Sequence, residues 1–272
     1  MRDMNARILL FLAVLWAPFL SVQTAQADPD MVDAHILTGW RQEDGRHISA
    51  LHLTLKNGWK TYWRAPGDAG IPPQFDWRKS RNLAGVQVTW PTPRTIRQSG
   101  VRTIGYAESM TLPLTLIPET PGQPIVLDGT IEIGVCKDVC VPVTLRLSQD
   151  LAAQPSKRDP RIVAAMAARP FSAKEAGVTR VACSISPIKG GLRLRAEVDL
   201  PDTGGQEVAV IETPNPAIWV AQADTARRNG RLVAETDMYH VNGGTFALDR
   251  SGLRITVIGE KRAVDIRGCP GG

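Results

Sequence analysis

Cysteine is scarce in this chain, with four among 272 residues. That excludes a small disulfide-framework protein, which crowds several bridges into a short secreted sequence. Charge of neither sign is concentrated. Lys and Arg number 32 against 27 Asp and Glu, a formal net charge of +5. The longest basic clusters are Arg78-Lys79 with Arg81, and Arg227-Arg228. A nucleic-acid binder gathers its basic side chains into a stripe, so no nucleic-acid partner is expected. Histidine is rare too: His35, His47, His52 and His240 have no tight ligand spacing. His47 and His52 fall on opposite faces of a strand, which is no metal grip. Met31, Met110, Met166 and Met238 are dispersed, so there is no Met-rich copper box and no metal is expected. A phosphate loop, a strand followed by G-x-G-x-x-G and a serine nucleophile elbow are all missing, and no cofactor is expected. What is present is a normal apolar share of 43%, enough for globular cores, over a length suited to one large or two ordinary domains.

The first 27 residues read as an address. Arg2 and Arg7 form a basic start, Ile8 to Val22 an apolar run, and Ala25-Gln26-Ala27 a small-x-small cleavage pattern. Residues 1–27 are therefore expected to be a signal peptide, with Asp28 opening the mature chain. No later stretch has the roughly 18 uncharged apolar residues of a membrane span. The expected product has no membrane span after signal cleavage and resides in the periplasm, where disulfides persist.

Strand patterning dominates the mature chain. Leu51, Leu53 and Leu55 alternate with His52, Thr54 and Lys56, a half-buried strand. Ile48 and Ala50 break that phase, so the strand is expected to start or bend near them. Further strands are expected at Val86–Trp90, Leu112–Ile117, Ile125–Leu127 with Ile131–Val135, and Val141–Leu147. Pro-Gly signals punctuate them, as in an antiparallel sandwich. A polar, proline-containing stretch at Ala152–Asp159 reads as a linker. Pro160–Arg169 then reads as a short helix capped by Asp159, with Ile162, Val163, Met166 and Ala167 on one face. Strands resume at Leu192–Val198, Glu207–Ile211, Arg231–Glu235, Phe246–Leu248, Leu253–Ile258 and Ala263–Ile266. The expected architecture is all-β: one β-sandwich domain over residues 28–155 and a second over 156–272, joined by a short linker and helix.

Cys136 and Cys140 lie within strand-like sequence. Along a straight strand their Cα atoms would stand about 13 Å apart, whereas a disulfide needs roughly 4.4–6.8 Å. They can bond only if Lys137-Asp138-Val139 turns the chain, as a three-residue hairpin loop or one helical turn. Val139 suits poorly the left-handed position that usually ends such a loop. A loop this small makes a weak staple, and a disulfide held in a tight turn is more readily reduced. Lys137 would favour a neighbouring thiolate and Asp138 would oppose it. Spacing alone leaves open a redox pair, a minor structural disulfide or two buried thiols. Cys183 and Cys269 flank the second domain, near its start and at its end. They read as a structural disulfide worth on the order of 4 kcal/mol in the chain-entropy model.

Gly58-Trp59-Lys60-Thr61-Tyr62-Trp63-Arg64-Ala65-Pro66-Gly67-Asp68-Ala69-Gly70-Ile71-Pro72-Pro73 resembles a signature stretch of the periplasmic N-terminal domain of thiol:disulfide interchange protein DsbD. It is most like the variant found in ScsB-type copper-tolerance proteins. Gly105-Tyr106, Leu112-Pro113-Leu114 and Cys136…Cys140-Val141-Pro142 follow in the family's order, so the resemblance covers roughly residues 35–150. It implies an immunoglobulin-like sandwich whose Cys136/Cys140 pair is catalytic. Such a pair takes electrons from a membrane reductase and passes them to periplasmic thioredoxin-like proteins. Cys140 is expected to attack and Cys136 to resolve. The three-residue Cys spacing departs from the longer loop of the enteric proteins. The family also places a cap over the disulfide, for which Tyr62 and Trp63 are the candidates. Their alternative role is core packing, the usual fate of aromatic side chains. The expected function is that of a protein thiol-disulfide oxidoreductase. The rival is a non-catalytic periplasmic binding module in which the Cys136–Cys140 bond is structural.

Overall fold

The alternation of apolar and polar residues builds two successive β-sandwiches. The computed structural model describes residues 31–98, 100–154 and 156–271; the expected signal peptide lies outside them. In the first sandwich one sheet has the order β1-β2-β8-β5, formed by β1 (Val32–Arg41), β2 (His47–Leu55), β8 (Ser109–Ile117) and β5 (Gly85–Val88). The facing sheet runs β10-β9-β3-β7-β6, with β4 also paired to β9. Its strands are β3 (Lys60–Tyr62), β4 (Gln74–Asp76), β6 (Arg94–Gln98), β7 (Val101–Ala107), β9 (Ile125–Cys136) and β10 (Cys140–Leu151). Leu51, Leu53, Leu112, Leu114, Ile125, Leu127, Ile131 and Val135 meet between the sheets with almost no exposure. The immunoglobulin-like, nearly all-β architecture is the expected one.

The phase break at Ile48 and Ala50 has a tertiary cause. Strand β2 starts at His47, next to Ile48, as expected. Its outward face is covered at that end by α1 (Pro160–Ala167), so Leu37, Trp40, Ile48 and Ala50 form a small core with Ile162. The opposite strand β1 accommodates this with a bulge between Leu37 and Trp40. Gly39 sits in it at φ +67, where a Cβ would collide with the Ile48 carbonyl. Asp159 caps the helix by accepting from the Arg161 N–H, and proline opens it. Only Ile162 and Ala165 are buried, with Met166 packed beside them. Val163 and Ala167, expected on the same face, point outward, because the covered stripe follows i, i+3, i+4 from Ile162.

The second sandwich sets a sheet β11-β19-β18-β14 against β12-β13-β17-β15, with β16 paired to β17. These strands are β11 (Phe171–Ser172), β12 (Arg180–Ile188), β13 (Gly191–Asp199), β14 (Val208–Glu212), β15 (Ile218–Val220), β16 (Asp224–Arg228), β17 (Arg231–His240), β18 (Arg254–Ile258) and β19 (Ala263–Arg267). Phe246–Leu248, expected as a strand, is irregular chain; Phe246 and Leu248 pack on the core without pairing. Cys183 on β12 is bonded to Cys269, just beyond β19, with Cα atoms 5.6 Å apart and both side chains buried.

The two sandwiches share a contact. Val208, Ile258 and Ala263 from the second pack into the core cluster of the first. Arg64 donates to both Glu212 carboxylate oxygens at 3.0 and 2.9 Å and to Thr256 Oγ1 at 3.1 Å, while its guanidinium covers the Trp63 ring at 3.7 Å. Burial pulls the Arg64 pKa down and Glu212 opposes that shift. Arg102 donates to Gln222 Oε1 and the Ala223 carbonyl, and Gln222 donates back to the Arg102 carbonyl.

Candidate functional site at the Cys136–Cys140 hairpin

Strands β9 and β10 form a long antiparallel ladder that ends with Cys136 directly opposite Cys140. Lys137-Asp138-Val139 is the hairpin loop, closed by the Lys137 N–H donating to the Val139 carbonyl at 3.1 Å. The turn brings the two Cα atoms to 4.1 Å, and the sulfurs are bonded. Val139 stays out of the left-handed region. Of the two turns compatible with the spacing, the chain uses the hairpin.

The two cysteines are not equivalent. Cys136 is 1% exposed, sealed beneath the sheet surface. Cys140 lies on the exposed edge strand together with the loop residues. An incoming thiolate therefore meets Cys140 first.

Tyr62 lies against the pair. Its hydroxyl lies 2.9 Å from Cys136 Sγ and 3.2 Å from Cys140 Sγ. Burial raises the phenol pKa, so the hydroxyl keeps its proton and donates to sulfur. The ring can lie flat here because position 134 has no side chain. A Cβ on Gly134 would come within 2.9 Å of Tyr62 Cδ2 and 2.8 Å of Ile71 Cβ. From above, the segment Pro66–Pro72 closes on the ring; a Cβ on Gly70 would approach Tyr62 Cδ1 to 3.1 Å. Gln222 of the second sandwich lies against Gly67 of that segment. Trp63, the other candidate cap, belongs elsewhere. Successive strand side chains alternate between faces, and Trp63 is wholly buried in the core of the first sandwich. Tyr62→Ala is expected to speed reduction of the Cys136–Cys140 bond by dithiothreitol about tenfold, the loss of one buried hydrogen bond and its cover. Gly134→Ala should act in the same direction with a smaller effect. Stopped-flow monitoring of thiol release checks both.

Lys60 stands directly opposite Cys136 in the β3–β9 ladder. It is 9% exposed and donates to Gln98 Oε1 at 2.5 Å. Gln98 in turn donates to the Lys137 carbonyl of the cysteine loop at 2.7 Å. Sequence reasoning weighed Lys137 and Asp138 but missed Lys60. The detectable signal was its position two residues before Tyr62, on the same strand face. His47 and His52 lie on opposite faces of β2, as expected. His52 faces His35 across β1 and β2, ring centroids 5.1 Å apart. His47 turns inward to the Thr38 carbonyl at 2.6 Å. Among the described residues, no group of three or more His, Cys, Asp or Glu side chains is placed to hold a metal ion.

Comparisons with known proteins agree with this geometry. The family model for the N-terminal domain of thiol:disulfide interchange protein DsbD matches residues 32–152. The matched span coincides with the first sandwich. Over the longer span the chain superposes on the crystal structure of the N-terminal periplasmic domain of ScsB from Proteus mirabilis with a TM-score of 0.64 at 19% identity. That match covers 88% of this chain and 92% of the other, and establishes a common fold. No curated protein matches the sequence.

Proposed function

We propose that the protein is a periplasmic thiol-disulfide oxidoreductase in which Cys136 and Cys140 cycle between disulfide and dithiol. The observation that carries this reading is a solvent-facing Cys140 bonded to a buried Cys136 beneath the Tyr62 hydroxyl. Its place in a domain that matches the DsbD N-terminal model supports it. A membrane reductase would supply electrons and periplasmic thioredoxin-like proteins would receive them. In the delivering direction, the Cys140 thiolate attacks a partner disulfide and releases one partner thiolate. Cys136 then attacks Cys140 Sγ of the mixed disulfide. The intramolecular bond re-forms and the partner leaves with both electrons.

On the same reading, residues 1–27 are a signal peptide, 28–155 the redox domain and 156–272 the second domain. Tyr62 is the cap. The second domain braces the covering segment through Gln222 at Gly67, and the Cys183–Cys269 bond is structural. Among the described residues no helix is long and apolar enough to cross a membrane.

The deciding measurement is the reduction potential of each disulfide. The Cys136–Cys140 pair is expected near about −200 mV, in the range of working exchange proteins, with Cys183–Cys269 resisting reduction. Values below about −300 mV for both would mark both bonds as structural and favour a binding module.

A further inference from the structure

We propose that Lys60 is the counter-ion for a thiolate formed on Cys136 when the disulfide opens. This rests on the exchange chemistry proposed above. When a donor thiolate attacks exposed Cys140, a new bond forms to Cys140 Sγ and the Cys136–Cys140 bond breaks. The electron pair of that bond stays on Cys136 Sγ. A negative charge thus appears on a side chain that is 1% exposed. A buried anion is costly unless a cation or hydrogen-bond donors meet it.

The fold supplies both. Tyr62 already places its hydroxyl 2.9 Å from Cys136 Sγ. Lys60 lies on the same strand face two residues away and directly across the ladder from Cys136. Paired positions in such a ladder hold their Cβ atoms about 4.5–5.5 Å apart. Among the described residues Lys60 has no carboxylate partner; its ammonium meets the neutral amide of Gln98. Burial lowers its pKa without any opposing acid. A desolvated ammonium without a carboxylate partner, carried at the ladder position opposite a sulfur that becomes an anion, makes an ion pair completed only in the reduced or reacting state.

Other charges around Cys136 are less well placed. Lys137 and Asp138 of the loop and Asp68 of the covering segment are exposed, where solvent screens them. Arg97 is engaged by Gln206, and Arg102 by Gln222 and Ala223. The neighbouring stretch of β10, Val141 to Pro142, brings no charge.

The test isolates Cys136 as the one thiol of the hairpin in a Cys140→Ser background. Its pKa is then read from the ultraviolet absorbance of the thiolate. Adding Lys60→Met is expected to raise that pKa by about one unit, a tenfold loss of thiolate at a pH below both values. Lys60→Arg should restore most of the shift, and Lys137→Met should move it much less. With both cysteines present, the same shift should move the potential by about 30 mV toward more reducing values at a pH above both thiol pKa values, where the thiolate is the reduced species. If Lys60→Met does not fold, Lys60→Gln removes the charge and keeps a donor for Gln98. An unchanged pKa in the folded charge-removed variant overturns the proposal, as does an equal shift from Lys137→Met. This measurement needs no redox partner, so it can succeed even if the relay reading fails. Conversely, disulfide potentials near the exchange range with an unmoved thiol pKa would leave the relay standing and remove Lys60 from it.

Discussion

A Cys140→Ser chain is expected to lose electron transfer to the background rate while remaining folded. The exposed sulfur is the one a partner reaches, and serine cannot form the mixed disulfide. The stability cost should be small. The hairpin loop is so short that the chain-entropy model assigns its closure only about 2 kcal/mol. Cys136→Ser should also stop turnover, at a different step. Cys140 can still attack a partner disulfide and release one partner thiolate, but the mixed disulfide has no resolving thiol and accumulates. Non-reducing gels with a thioredoxin-like acceptor would show that trapped species for Cys136→Ser and none for Cys140→Ser. Cys183→Ser should give the opposite pattern. The long loop makes that bond worth about 4–5 kcal/mol, so the chain melts earlier while native protein keeps its exchange rate. If neither hairpin substitution changes transfer, the relay reading is wrong.

Trp63→Ala should be the most destabilising single aromatic truncation in the first sandwich. The side chain is wholly buried between the sheets and lies under the Arg64 guanidinium, itself bound to Glu212 of the second sandwich. Truncating a buried tryptophan typically costs about 3–5 kcal/mol. For a chain of this size that lowers the melting temperature by roughly 10 °C. Part of the loss comes through Arg64, whose packing against the ring disappears. Well below the transition, the rate at which dithiothreitol opens Cys136–Cys140 should stay within about twofold of the parent, since the Tyr62 hydroxyl, not Trp63, lies on the sulfurs. Thermal melts with parallel reduction kinetics check both halves. A Trp63→Ala chain that melts normally but reduces faster would make Trp63 the cap after all.

The contrast between these neighbours shows how far residue patterns carry. The stretch from Gly58 to Pro73 was recognisable because its aromatic, proline and glycine spacing is long and specific. Within it, the assignment of one aromatic to the core and the other to the disulfide depends on which sheet face looks inward. The alternation rule separates Tyr62 from Trp63 but does not say which face is which. The hairpin type at Cys136–Cys140 was open for a similar reason. Two local conformations satisfy the same spacing, and the β9–β10 ladder selects between them.

Local chemistry was enough for much of the rest. Alternating leucines specify half-buried strands, proline and aspartate specify where α1 starts, and the scarcity of cysteine leaves few possible pairings. These are properties of near neighbours in the chain, so they are written in the order of residues. The helix covering Ile48 and Ala50, the glycine that admits the Tyr62 ring and the lysine opposite Cys136 are not. Each joins positions distant in sequence, and each is decided by strand register and sheet packing. A one-residue slip in register would turn all of these side chains to the other face. That is why the cysteines could be read from the sequence while their environment belonged to the tertiary structure.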